Sequence, residues 1–215
     1  MKSKIKLLII LALVLNSCRK PVPDTTTQDV FVNNDSVELQ SGENGWLEYY
    51  SSYHVHRDSF KSISTDTLPG IITSFVGRPW APEISNLLIY SPDSTLILDI
   101  YGYNFILFEN ELGQMEFGTE ADTEVLLYDM PRKQSIRLMF VGPSVTVEDG
   151  FWLNDNEILL TGLYREYQDD GYRPVMWKVT VNKKTIQYLE YMRIIPDLRP
   201  DYVKEKKLVL LQNRF

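Results

Sequence analysis

The chain repeats itself, and this limits what it can fold into more than any other feature. Residues 89–98 (Ile-Tyr-Ser-Pro-Asp-Ser-Thr-Leu-Ile-Leu) lie over residues 151–160 (Phe-Trp-Leu-Asn-Asp-Asn-Glu-Ile-Leu-Leu) at a constant offset of 62. Val125-Leu126-Leu127-Tyr128 then lies over Val175-Met176-Trp177-Lys178, and residues 133–137 over 183–187, at an offset of 50. Two copies, about 84–140 and 147–191, therefore predict one supersecondary unit made twice. A unit of this kind buries its apolar face only against a neighbour.

Within each copy, short apolar runs are bounded by turn-forming residues, the pattern of strands. Residues 87–90 and 95–101 flank Ser91-Pro92-Asp93-Ser94. There proline presets the backbone angle and aspartate bonds to the amides ahead. Asn154-Asp155-Asn156 does the same between 151–153 and 157–163. The second hairpins are 125–130 with 135–140 around Pro131-Arg132-Lys133, and 175–181 with 185–191 around Asn182-Lys183-Lys184. Each copy is predicted as a four-stranded antiparallel meander.

With its Ser-Pro-Asp turn and a Leu-Tyr-Asp or Trp-Lys-Val third strand, the unit resembles a β-propeller blade. A closed propeller takes at least about four blades, and this chain carries two. The expected fold is mainly β: two blade-like meanders packed as a sandwich or half-open barrel, or joined edge to edge in a dimer. Short N-terminal helices and the 46–80 segment would cover an edge or an open face. Trp46, Tyr49, Tyr50 and Tyr53 share one helical face, although they also fit a poorly alternating strand. Residues 68–76 read as a helix capped by Thr67, ending before Pro79 and Pro82. Residues 201–211 fit either a last helix or an edge strand.

The copies differ by an insertion. Asn104 to Val125 spans 21 positions, whereas Glu166 to Val175 spans nine. The extra residues include Glu109, Glu111, Glu116, Glu120 and Asp122, and are predicted to form a hairpin turning near Leu112-Gly113-Gln114. Its acids either simply face water or, as insertions in repeat proteins do, meet a partner or a cation.

The N-terminus has a basic start (Lys2, Lys4, Lys6) and an apolar run at 7–15, the layout of a signal peptide over 1–17. The run is shorter than the ~20 residues a spanning helix needs. Leu15-Asn16-Ser17-Cys18 resembles the lipobox of bacterial lipoproteins. The resemblance implies that Cys18 becomes the first residue of the mature chain and carries acyl chains of the palmitate type. Two or more such chains anchor a protein stably. Cys18 is the single cysteine, so the mature domain holds no internal disulfide. No aspartate follows it, which in such lipoproteins implies the outer membrane. Arg19-Lys20 is not an acidic surface-export tract, which implies a periplasm-facing domain. Residues 18–44, rich in Pro, Thr, Asp, Asn and Ser, read as a flexible tether ahead of a single domain at 45–215. The net charge of −7 becomes −10 once the three signal-peptide lysines are gone. Such a surface argues against nucleic acid as a partner.

His54-Val55-His56-Arg57-Asp58 has the spacing of the His-x-His-x-Asp segment of metallo-β-lactamase-like hydrolases, which it resembles. The chain has only two histidines, so three-histidine and binuclear sites are ruled out. A mononuclear site of His54, His56 and Asp58 stays as an alternative. Asp93 and Asp155 sit in matching turns, as turn chemistry demands. No Gly-x-Ser-x-Gly and no phosphate-binding glycine loop is present. Tyr101, Tyr103, Tyr164, Tyr167 and Tyr172 fall at or beyond the ends of second strands. There they either cap small sheets or present a binding face for a protein or glycan. The expectation is a non-enzymatic, membrane-anchored binding or scaffolding lipoprotein without cofactor. It would use these tyrosines and the acidic insertion, Glu109, Glu111 and Glu116. The alternatives are a tethered inhibitor or accessory factor of an envelope enzyme, and a metal-dependent hydrolase.

Overall fold

A computed structural model describes residues 41–111, 115–165 and 171–212. The chain divides into Met1–Asp35 and Ser36–Phe215, and all described residues lie in the second unit. Cys18 and residues 18–40 of the expected tether lie outside them, whereas its last four residues, 41–44, are helical, which corrects the expected tether end.

In chain order the elements are α1 (Ser41–Tyr49), β1 (Phe60–Thr67), β2 (Ile72–Ser74), β3 (Ile89–Tyr90), β4 (Leu96–Asp99), β5 (Phe105–Glu109) and β6 (Met115–Thr119). Then follow β7 (Thr123–Asp129), β8 (Gln134–Val141), β9 (Val145–Asn154), β10 (Glu157–Tyr164), β11 (Arg173–Thr180) and β12 (Thr185–Tyr191). A helix closes the domain, π-wound over Val203–Leu208 and regular in α2 (Val209–Gln212). The repeat is visible as two antiparallel meanders, β3-β4-β7-β8 and β9-β10-β11-β12. The insertion is the separate hairpin β5-β6, with residues 112–114 at its tip outside the described residues.

Each meander gains a fifth strand from the chain that precedes both. β1 pairs with β12 and β2 with β8, giving the sheets β1-β12-β11-β10-β9 and β2-β8-β7-β4-β3. The two additions are equivalent. The Leu68 amide bonds to the Lys184 carbonyl at 2.8 Å, and the Phe75 amide to the Lys133 carbonyl at 3.0 Å. Lys133 and Lys184 are the left-handed last residues of the two matching hairpin turns, at φ 51° and 53°. The structural equivalence at these turns is thus shifted by one residue from the offset of 50.

This corrects the helix expected at 68–76. Residues 68–71 are irregular, with Gly70 in the left-handed region at φ 69°, and Ile72-Thr73 are β-branched residues that suit a strand. Propensity over so short a stretch yields to the free edge of β8 that it can pair with. The helix at 46–53 is found in part, as α1 and a short 3-10 turn at Ser51–Tyr53. The ambiguous C-terminus is helical.

The sheets pack on a shared core and do not close into a barrel. Leu98, Leu127 and Leu138 from one sheet meet Trp152, Leu160 and Trp177 from the other. Full burial of each such aliphatic side chain stabilises the fold by about 1.5–3 kcal/mol. The indole of Trp152 also donates to the Ile89 carbonyl at 3.2 Å, from β9 to β3. Gly150 lets the sheets approach, since a Cβ there would stand 2.9 Å from Ile100 Cδ1. The outer face of the second sheet is covered by Trp80, Ile84 and Leu88 packed against Ile97 and Tyr128.

Candidate functional site

Two places combine unusual chemistry with defined geometry. The first begins with an irregularity in β9. Thr161 of β10 pairs with Asp149, but Gly162 pairs with Val147, so Glu148 is the extra residue of a β-bulge. A Cβ at Gly162 would lie 2.0 Å from the Thr146 carbonyl, which is why glycine stands there. The bulge breaks the two-residue alternation, and both Glu148 and Asp149 turn toward the terminal segments.

Glu148 is wholly buried. Its Oε2 accepts from the Trp46 indole at 2.9 Å, and both oxygens accept from the Tyr50 hydroxyl at 3.0 and 2.9 Å. Tyr101 donates to its backbone carbonyl at 2.7 Å. Burial pushes the Glu148 carboxyl up to about 8; the Trp46 and Tyr50 donors oppose this, and the neighbouring Asp149 adds to it. Asp149 accepts from the Tyr202 hydroxyl at 2.5 Å and from Lys207 Nζ at 2.7 Å. A cavity of about 540 Å³ opens beside Asp149, bounded by Gly45, Tyr49, Lys206 and Lys207. Glu148 does not line it, and the Asp149 oxygens already have partners. The cluster ties α1 and the C-terminal helix to β9, and it offers no free group to a substrate.

The second place is a groove of about 740 Å³ between the sheets, with β8 as one wall and β10–β12 as the other. Phe140, Tyr164, Trp177 and Tyr188 line it, and Asp66 and Ile71 border the end where β1 crosses to β2. Trp177 and Tyr188 stack at 5.7 Å. Phe140 is 47% exposed, with Tyr103 edge-on to it at 5.6 Å and the Arg137 guanidinium over its ring at 5.6 Å. Arg137 is itself paired with Glu124. Burial and a hydrogen bond with Glu190 push the Tyr188 phenol upward, so it stays protonated. Flat apolar rings with polar rims suit a ligand that carries both faces and donors.

The tyrosines expected to form one binding face are divided by the fold. Tyr103 contacts Phe140, which lines the groove together with Tyr164. Tyr101 is a correction: only 2% exposed, it stacks on Phe105 and cannot meet a surface ligand. Its hydroxyl found an internal partner in the Glu148 carbonyl, so complete burial carries no unpaired polar group. Tyr172 is half-buried beneath Arg165, bridges to Ile195 and does not line the groove. Tyr167 lies outside the described residues.

Of the insertion acids, Glu111 and Glu116 are exposed, and Glu116 accepts from Asn110 Nδ2 at 2.7 Å. Glu109 belongs to β5, and its side chain lies outside the described residues. Glu116 and Glu120 share a cleft of about 940 Å³ with Asp201 and Glu205 of the C-terminal segment.

The His54, His56 and Asp58 alternative is not assembled. His54 is left-handed at φ 61°, its carbonyl accepts from the Tyr191 hydroxyl at 2.6 Å, and Val55 plugs into the interior. The segment is therefore a turn, not the strand that would put three ligands on one face. No group of three metal-ligating side chains occurs among the described residues. Asp93 closes its turn with Ser91 and Thr95, whose hydrogen bonds hold its carboxyl below the usual range.

Sequence reading did not single out Glu148, Asp149 or Phe140. Two adjacent acids inside an apolar strand, opposite a glycine, are the signal that marks such a bulge. No family model matches this chain, and neither a curated protein nor a solved structure matches it.

Proposed function

We propose that this protein is a non-enzymatic, lipid-anchored binding lipoprotein of the bacterial cell envelope. In this reading Cys18 carries the anchor at the outer membrane, the domain faces the periplasm, and the groove holds a protein or glycan of the envelope. The observation that carries it is the groove itself: exposed Phe140 and the Trp177–Tyr188 stack, set in a gap of about 740 Å³ between the two sheets. Apolar surface of this kind on a soluble face marks interaction sites. The polar lining of the groove includes Ser64, whose hydroxyl donates to exposed Asp66 at 3.0 Å, and Glu190, paired with Arg173.

The test is a pull-down from solubilised envelope with the native lipidated chain, beside Phe140→Ser. A partner or glycan retained by the native chain and lost by the variant supports the reading. Retention by both, or by neither, overturns it. The anchor has its own test: Cys18→Ala is expected to leave the membrane fraction, and its staying there would refute lipidation. The acidic cleft of Glu116, Glu120, Asp201 and Glu205 favours a second reading, a tethered inhibitor or accessory factor docked on a basic envelope enzyme. That contact would weaken as salt is raised, whereas groove binding by apolar rings would hold.

A further inference from the structure

We infer that the groove takes an extended polypeptide segment of a partner protein, which pairs as an added strand with the open edge of β8 at residues 138–141. This rests on the binding reading above and narrows it to one ligand class. The argument begins with the unequal strands of the second sheet. β8 runs from Gln134 to Val141, but β2 pairs with it only from Ile136 back to Gln134. The last bond on that side is Arg137 N–H to the Ile71 carbonyl, at 3.0 Å. Beyond it, no strand among the described residues pairs with β8 on the side away from β7. Backbone donors and acceptors at a sheet edge are a template for another chain. Here that edge opens onto the groove rather than onto bulk solvent.

β2 is itself the precedent. It is an extended segment that reaches this edge and adds to it in antiparallel register. The β7–β8 register skips Leu138, so this edge is bulged, and a partner strand would pair across the bulge over residues 138–141, about 13 Å at the usual rise. One row of its side chains would meet the Trp177–Tyr188 stack and Phe140, so apolar residues are expected at alternate positions. Asp66 is exposed at the end of the groove, while Glu190 is paired with Arg173 and Arg137 with Glu124. The uncompensated charge at that end is negative, which favours a lysine or arginine in the partner segment. A glycan could stack on the same rings, but it has no backbone row to match the open edge.

The probes are an acetylated, amidated peptide, Thr-Val-Lys-Val-Thr-Val-Lys-Val, the same peptide N-methylated at every residue, and a tetrasaccharide of β-1,4-linked N-acetylglucosamine. Each is titrated into the full chain while amide hydrogen exchange is followed. The expected result is exchange slowed by about tenfold or more, with the plain peptide only, at those amides of residues 138–141 that face away from β7, and binding weakened by about tenfold in Phe140→Ser. Phe140 is half exposed, so this variant should keep the native unfolding midpoint. Equal binding of the N-methylated peptide would overturn strand pairing and leave the groove as a binding site. So would binding of the tetrasaccharide without the peptide. If neither plain peptide nor sugar binds, the strand proposal falls. The envelope pull-down then decides separately whether the groove binds anything.

Discussion

Trp46, Tyr50, Tyr101 and Tyr202 close around Glu148 and Asp149, whereas Phe140, Tyr164, Trp177 and Tyr188 leave a gap between the sheets open. Both regions are built from aromatic residues on the same two meanders. What separates them is whether a covering segment arrives. Over β9, α1 and the C-terminal helix, with the flanking Tyr50 and Tyr202, supply indole, ammonium and phenol donors to two carboxylates. Over the distal half of β8, the crossover from β1 to β2 stops at Ile71. A buried carboxylate is tolerated only when hydrogen-bonded or protonated, so the first region had to be sealed with polar rings. Apolar rings carry no such requirement and can stay at a surface. The shifted carboxyl of Glu148 therefore marks the joint that holds the termini, and the exposed ring of Phe140 marks the accessible surface. A perturbed carboxylate is a guide to function only where something can reach it.

This contrast can be broken most directly at Trp46. Trp46→Ala removes a fully buried ring and a donor to Glu148, and is expected to destabilise the domain by about 3–5 kcal/mol in denaturant unfolding. A loss no larger than that of a surface variant would mean that α1 is not part of the closed region.

Next in size is a dependence on pH. Glu148 has its carboxyl pushed up from an ordinary 4.5 to about 8 in the folded chain. Between those values the folded state keeps a proton that the unfolded state has lost, so raising the pH favours unfolding. Stability is expected to fall across this window, by at most about 1.4 kcal/mol per pH unit from this group, and to level off above it. Glu148→Gln should flatten most of the slope. Buried Asp99, also pushed up by burial, accounts for a remainder of the same sign. A slope unchanged in the Gln variant would show that Glu148 is not the group responsible.

Tyr101→Phe deletes one internal hydrogen bond while keeping the ring, for an expected loss of about 1 kcal/mol. A loss near zero would return Tyr101 to the set of surface tyrosines. The smallest effect on stability belongs to the open region: Phe140→Ser should move the unfolding free energy by about 0.5 kcal/mol or less. A large loss would make the groove part of the core and remove its claim to a ligand.

The repeat was legible because strand pairing in a meander is local. Ser91, Asp93 and Thr95 close one turn among themselves, and Lys133 and Lys184 take the left-handed place in two others, so near neighbours decide these hairpins. The inserted hairpin was legible for the same reason. Residues 68–76 were not, because whether Ile72 joins a helix or a strand depends on an edge of β8 more than sixty positions away. Nor could Tyr101 and Tyr103 be told apart, two residues from each other in the chain. One found the Glu148 carbonyl and the other the ring of Phe140.

By itself, then, the order of residues determined two meanders, their turns, the acidic insertion, a single cysteine at position 18 and the absence of enough histidine for a larger metal site. These follow from neighbours a few residues apart or from composition. Tertiary structure alone decided where the fifth strands went, that a bulge turned Glu148 and Asp149 onto the terminal segments, and that no described strand pairs with the β8 edge beyond Arg137, beside a row of rings. Burial and edge pairing are set by which distant segment arrives at a surface, and periodicity along the chain carries no record of that.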